Sequence, residues 1–174
     1  IALLASNANP SDAEIDRAAA HPLRESGLAH QLIDFFPFGY DERQYNSPGF
    51  RLPVGSLMRA RHGRFPEYHT SADDLAFVSG DHMAESLAAV REILRLLDAN
   101  ATHRSLSPHG EPQLGRRGLY RALGGDGDPE AVQLAMLWLL SLADGSCDLL
   151  SAAVRSGLAF DAVARAAALL VSHG

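Results

Sequence analysis

The sequence predicts an α/β layered domain followed by a small, mainly helical domain. Three observations carry that expectation. A strand–helix–strand pattern occupies residues 1–36, a Gly- and Pro-rich stretch interrupts residues 102–127, and three short helical patterns fill the remainder. Strand, helix and strand at this spacing form one unit of a layered sheet. A cluster of breakers between periodic segments is where a domain boundary falls.

Ile1-Ala2-Leu3-Leu4-Ala5 reads as a buried strand entered mid-domain. Ser11 and Glu14 have the spacing of a capping box. Ile15, Ala18, Ala19 and Leu23 then share one helical face, and Ser26-Gly27 is a stop signal. Leu28 to Phe36 is rich in apolar residues and is expected to be a largely buried strand, broken by Pro37-Phe38-Gly39-Tyr40. Between Asp41 and Asp74, prolines and glycines interleave with polar and aromatic residues, the composition of long loops, where sites usually sit. Within that stretch Leu52 to Met58 can form a short strand and Arg61-His62-Gly63-Arg64 a turn.

Ser79 is expected to cap a long helix reaching about Asn100, with Met83, Leu87, Val90, Leu94 and Leu97 as an apolar stripe facing the core. The later helices are expected at about Glu130–Leu142, Asp148–Arg155 and Phe160–Ser172, separated by Asp144-Gly145 and Ser156-Gly157. The last two have helix-turn-helix proportions. The expected domains are residues 1–103, a linker and second-domain start over 104–127, and a helical domain over 128–174.

The 174 residues are 47% apolar, ordinary for a protein with a real core, and carry a net charge of −6. All 15 cations are Arg, with no Lys. An acidic chain without basic runs argues against nucleic acid or an anionic membrane as partner. Cys147 stands alone, so no disulfide can close within the chain, which fits a reducing, cytoplasmic setting. No apolar run has the length of a membrane span. The chain starts on Ile without a signal-like basic segment, and the expectation is a piece of a larger protein.

Chemistry-bearing residues are densest in Tyr40-Asp41-Glu42-Arg43-Gln44-Tyr45 and in Glu67-Tyr68-His69-Thr70-Ser71-Ala72-Asp73-Asp74. Imidazole is a good zinc ligand, and a nearby carboxylate such as Asp73 can orient its second nitrogen. The residues alone equally allow a surface loop in which Ser71 or Asp73 caps a short helical turn. Asp41-Glu42 alone equally allows a solvated acidic turn.

Glu14-Ile15-Asp16-Arg17, the run DFFPFGYDERQYNSPGFRLPVGSLMR from Asp34, and PEYHTSADDL from Pro66 resemble a bacterial family of unknown function with an aminopeptidase-like domain. That domain is similar to the clan MH zinc aminopeptidases and their glutaminyl-cyclase-like relatives. QLGRRGLYRALGG from Gln113 and AMLWLLSLADG from Ala135 resemble the winged-helix domain attached behind it. The resemblance implies the C-terminal part of a three-layer zinc-aminopeptidase-like domain followed by a winged-helix-like domain.

By resemblance, the His-Thr-x-x-Asp segment makes His69 the last metal ligand and Asp73 its supporting carboxylate. Tyr68, just before the ligand, falls where the substrate pocket is lined, with Arg43 and Tyr45 as further substrate contacts. Asp41 takes the place of the active-site Asp turn, although Glu42 stands where many relatives carry His. The cofactor implied is zinc, in the intact parent. The family's other ligands, a His, a bridging Asp and a Glu beside the general base, come from earlier segments not found among these residues. The chain by itself is therefore expected to be inactive, since a catalytic zinc takes about three protein ligands.

The implied function is a metal-dependent aminopeptidase-like hydrolase acting on a peptide or related small-molecule amide. One alternative is a non-catalytic peptidase-like binding module in polysaccharide or secondary metabolism. The other is a winged-helix DNA-binding regulator. Charge opposes the last: from Glu111 to Gly174 five Arg face seven acids, and the candidate recognition helix offers only Arg165, with Asp161 at its start. Arg116, Arg117 and Arg121 are expected on a solvated or salt-bridging face, and Trp138 in the core. A homo-oligomer or a protein partner held through the C-terminal domain is the expected use of that domain.

Overall fold

A computed structural model describes residues 1–6, 13–37, 39, 41–119 and 128–174. The chain divides into two units, Ile1–Leu97 and Asp98–Gly174.

In the first unit the opening apolar run forms β1 (Ala2–Leu4), with Ala2 and Leu3 buried. β1 lies at the centre of a three-stranded sheet, parallel to β2 (Gln31–Ile33) and antiparallel to β3 (Ser56–Met58). Between β1 and β2 runs α1 (Glu14–Glu25), which buries Ala18, Ala19, Ala20 and Leu23. Its N-cap is Ala13, without a side-chain cap; Ser11 of the expected capping box lies outside the described residues. The end of β1 is tied to α1 by buried Asp16, which accepts from the Ser6 N–H at 2.8 Å and the Ser6 hydroxyl at 2.6 Å.

Leu28 to Phe36 contains the expected strand but departs from its expected burial. Only Gln31–Ile33 is strand, and Gln31 and Leu32 are exposed. Among the described residues β2 pairs only with β1, so its faces are not enclosed as a central strand's would be. Arg61–Arg64 closes as a turn through Arg64 N–H to the Arg61 carbonyl at 3.0 Å.

α3 (Gly80–Ala99) starts where Ser79 accepts from the His82 N–H at 3.4 Å, following a short α2 (Asp41–Tyr45). The expected core stripe is corrected here. Met83, Leu87 and Leu94 are 62%, 61% and 58% exposed, and Val90 is also exposed. The buried residues are Ile93 and Leu96, with Ala89 and Leu97 packed against the cluster of Leu3, Ala19, Ala20, Leu23 and Ile93. The core of this unit covers only one arc of the helix; periodicity identified an apolar helix, but which arc is covered is set by the packing partners.

The second unit contains β4 (Thr102–Arg104), α4 (Pro129–Leu142), β5 (Asp144–Asp148), α5 (Leu149–Ser156) and α6 (Phe160–Ser172). Asp128 caps α4 by accepting from Glu130 and Ala131 N–H, with Pro129 in the first turn, where its missing N–H is harmless. Asp144-Gly145, expected only as a separator, begins a strand that pairs antiparallel with β4. Asp148 caps α5 by accepting from Ser151 N–H at 2.7 Å. Gly157 sits at φ +70 after α5, a left-handed cap that turns the chain into α6. The core is Met136, Leu150, Phe160 and Val163, joined by Leu114 and Leu119. Asn100 completes it by accepting from Leu150 N–H at 2.9 Å and donating to Asp148 at 3.2 Å. Trp138 is half-buried, with the Arg155 guanidinium 6.0 Å above its ring. Arg117 donates to the backbone oxygens of His173 and of Gly174, the last of the 174 residues, and Arg121 lies outside the described residues.

Candidate functional site

The segment between the Arg61 turn and α3 folds around aromatic contacts rather than regular hydrogen bonding. Phe65 stacks on Phe77 at 5.8 Å and meets Tyr68 edge-on at 5.4 Å. Tyr68 in turn stacks on His69, centroids 4.1 Å apart at 14°, and His62 tilts toward Tyr68 at 6.1 Å. Aromatic contacts of this kind hold a loop in one shape without a strand or helix.

His69 has φ +59, in the left-handed region. Non-glycine residues enter that region seldom and at a cost on the order of 1–3 kcal/mol, and such strain concentrates at functional sites. The conformation is imposed by the turns on either side. Thr70 N–H and hydroxyl both donate to the Glu67 carbonyl, at 3.1 and 2.8 Å, and Asp73 N–H donates to the Thr70 carbonyl at 3.2 Å. His69 is exposed, ring face on Tyr68.

The expected pairing of Asp73 with His69 is absent as a hydrogen bond among the described residues; the Asp73 side chain is exposed. The capping expected of Ser71 or Asp73 falls instead to Thr70 and Asp74. Thr70 accepts from Ala72 N–H, and Asp74 accepts from Ala76 and Phe77 N–H. Each hydroxyl or carboxylate reaches an amide two or three residues on, so one position decides which residue is the cap.

On α2, Asp41, Arg43 and Tyr45 are exposed. Glu42 is not part of a solvated acidic turn: it is buried at 8% exposure. Its carboxylate lies against Gly39, where an added Cβ would meet Oε1, so a side chain there would require the Glu42 carboxylate to shift. Asn46, also buried, donates to the carbonyls of Glu42 and Val54 and so fixes α2 against the chain leading to β3. Asn46, Phe65 and Phe77 were not singled out by sequence reasoning, which named Glu42 but not its burial, and only Gly39 hinted at the close approach.

Among the described residues no group of three or more His, Cys, Asp or Glu could hold a metal ion. The exposed imidazole of His69 is one donor, and the residues present do not by themselves fit a zinc centre.

Residues 4–100, which include every residue of this site, match the family described as a domain of unknown function, DUF4910. The chain belongs to this family. Residues 101–174 match a winged helix-turn-helix domain. A Clostridium acetobutylicum protein, provisionally named a polysaccharide biosynthesis protein with aminopeptidase-like domain, is 45% identical over 156 residues. That match covers 90% of this chain and 36% of the relative. The crystal structure of a provisionally named peptidase from the same organism superposes with TM-score 0.82 at 38% identity. It covers 99% of this chain and 37% of that one. The chain thus spans about a third of the length of the relatives it matches, and pairs an α/β aminopeptidase-like part with a winged-helix domain. No helix among the described residues is long and apolar enough to cross a membrane.

Proposed function

We propose that this chain belongs to a metal-dependent aminopeptidase-like hydrolase acting on a peptide or related amide, and that His69 supplies one ligand of its zinc. The observation supporting this most is the left-handed His69, exposed and stacked on Tyr68 within a segment of the matched family. A loop that had only to connect two elements would gain nothing from a strained histidine. Tyr68 would present its ring beside the bound substrate, with Arg43 and Tyr45 as further contacts and Asp41 as an active-site carboxylate. The zinc would polarise the amide carbonyl in an assembly that includes further ligands. The 174 residues alone would bind no stoichiometric metal and cleave nothing.

The test is elemental analysis of the whole gene product beside its His69→Ala variant. Metal content should fall by an order of magnitude or more, and unchanged content removes His69 as a ligand. A second reading, a peptidase-like module that binds without turnover in polysaccharide metabolism, is favoured by the name of the Clostridium acetobutylicum relative. Chelator-sensitive release of an N-terminal residue or acyl group from a panel of amides supports the hydrolase; metal-dependent binding without release supports the module.

A further inference from the structure

α3 carries more apolar surface than its own unit covers. Met83, Leu87, Val90 and Leu94 follow one another by four, three and four residues, so they line one side of the helix. All four are open to solvent, between 40% and 62% exposed. Leu97 continues the row three residues on and packs against the cluster that holds Leu3, Leu23 and Ile93. The open row therefore runs directly into the covered core. The row itself contains no charged side chain.

A helix of a layered α/β domain turns its apolar stripe toward a neighbouring layer, and a row of this length left open marks an interaction face. A second opening lies on the sheet. Among the described residues β2 pairs only with β1, and Leu32 on it and Phe36 just beyond it are both exposed. A helix-to-helix pairing of two copies would answer the row on α3 and leave this sheet edge open. Further layers of the same domain answer both, and the chain spans only about a third of the length of the relatives it matches.

We propose that the row from Met83 to Leu94 is a docking seam for a further part of a protein of the relatives' length, which lays an uncharged, apolar face along α3. The row specifies that chemistry: a charged or strongly polar partner would lose its hydration against four apolar side chains and gain no counter-charge. Docking there completes the burial that Ile93 and Leu96 begin on the adjoining side of the helix. The seam rests on the chain being part of a longer protein, and not on His69 as a metal ligand.

The experiment compares the 174-residue chain with the whole gene product, each carrying Cys147→Ser and one thiol introduced by Leu87→Cys or Leu94→Cys. A maleimide reads the accessibility of that thiol, with each rate taken relative to the same protein unfolded in urea. In the 174-residue chain the thiol should react within about threefold of the unfolded rate. In the whole product it should react at least about a hundredfold more slowly, because reaction then waits for the seam to open. A second variant, Leu87→Glu, should leave the melting temperature of the 174-residue chain within about 2 °C and lower that of the whole product by at least about 5 °C. Equal labelling rates in the two proteins overturn the proposal, as does a whole product whose melting is indifferent to Leu87→Glu. Slow labelling in the 174-residue chain overturns it too. If that protection grows with protein concentration, a second copy occupies the seam; if it does not, the chain covers its own helix.

Discussion

Replacing Asp16 with Ala tests how the first unit is held together. The Asp16 carboxylate is 4% exposed and accepts both the Ser6 N–H and the Ser6 hydroxyl, while Ser6 itself is fully buried. The substitution removes the acceptor that two buried donors share and opens a gap where the carboxylate stood. An orphaned buried donor costs about 1–3 kcal/mol, so the pair predicts a loss of about 2–4 kcal/mol once partial relaxation is allowed. Native-state amide exchange resolves that loss by region. Amides of β1 and α1 should exchange roughly 30- to 1000-fold faster, since about 1.4 kcal/mol is a factor of ten. Amides of α4 and α6 belong to the other unit and serve as the reference. Ser6→Ala removes only the hydroxyl donor and should cost less than half as much. Unaltered exchange in β1 and α1 of the Asp16→Ala protein would refute the reasoning, because the tie would then contribute nothing beyond what water supplies.

Three further outcomes are expected. Asn100→Ala removes both the acceptor for Leu150 N–H and the donor to Asp148, so Trp138 fluorescence should report a melting temperature lower by roughly 5–10 °C; an unchanged midpoint counts against that bridge. The Arg95 guanidinium, hydrogen-bonded to Glu92, holds the Glu92 carboxyl below its ordinary value. Its contribution to stability is therefore present above the ordinary carboxylate range and lost as pH falls through the lowered value, and Arg95→Gln should flatten that part of the acid limb. Mixed-sequence duplex DNA at about 50 mM salt should bind the chain no tighter than about 100 μM. α6 exposes Asp161, Ala168 and Val171, with Arg165 half-buried, which gives phosphates little to contact. Micromolar binding that weakens steeply with salt and is lost in Arg165→Ala would restore the regulator reading.

Much of the second unit was legible in the sequence because its signals are local. Phe160–Ser172 was delimited to the residue, and Asp148 and Gly157, placed at the start and end of α5, act within a few residues of themselves. β5 was missed because Asp144-Gly145 reads as a turn, and its strand character comes from pairing with β4 some forty residues away. In the first unit, β1 was evident as an apolar run, while β2 was placed but given the wrong burial. At the candidate site, His69 and Tyr68 were named from a motif. The aromatic ladder through Phe65 and Phe77 carries no short-range signal, because its members are joined only by the folded loop.

The sequence by itself determined most of the longer helices, the family and the residues at which chemistry can be sought. These depend on side-chain identity at short spacing, where one cap or one period suffices. Only the tertiary structure decided that α3 turns Ile93 and Leu96 inward and leaves Met83, Leu87 and Leu94 exposed. It alone showed that Glu42 is buried against Gly39 and that His69 is strained. Burial and strain are properties of what a residue meets, and the partners that set them lie far along the chain.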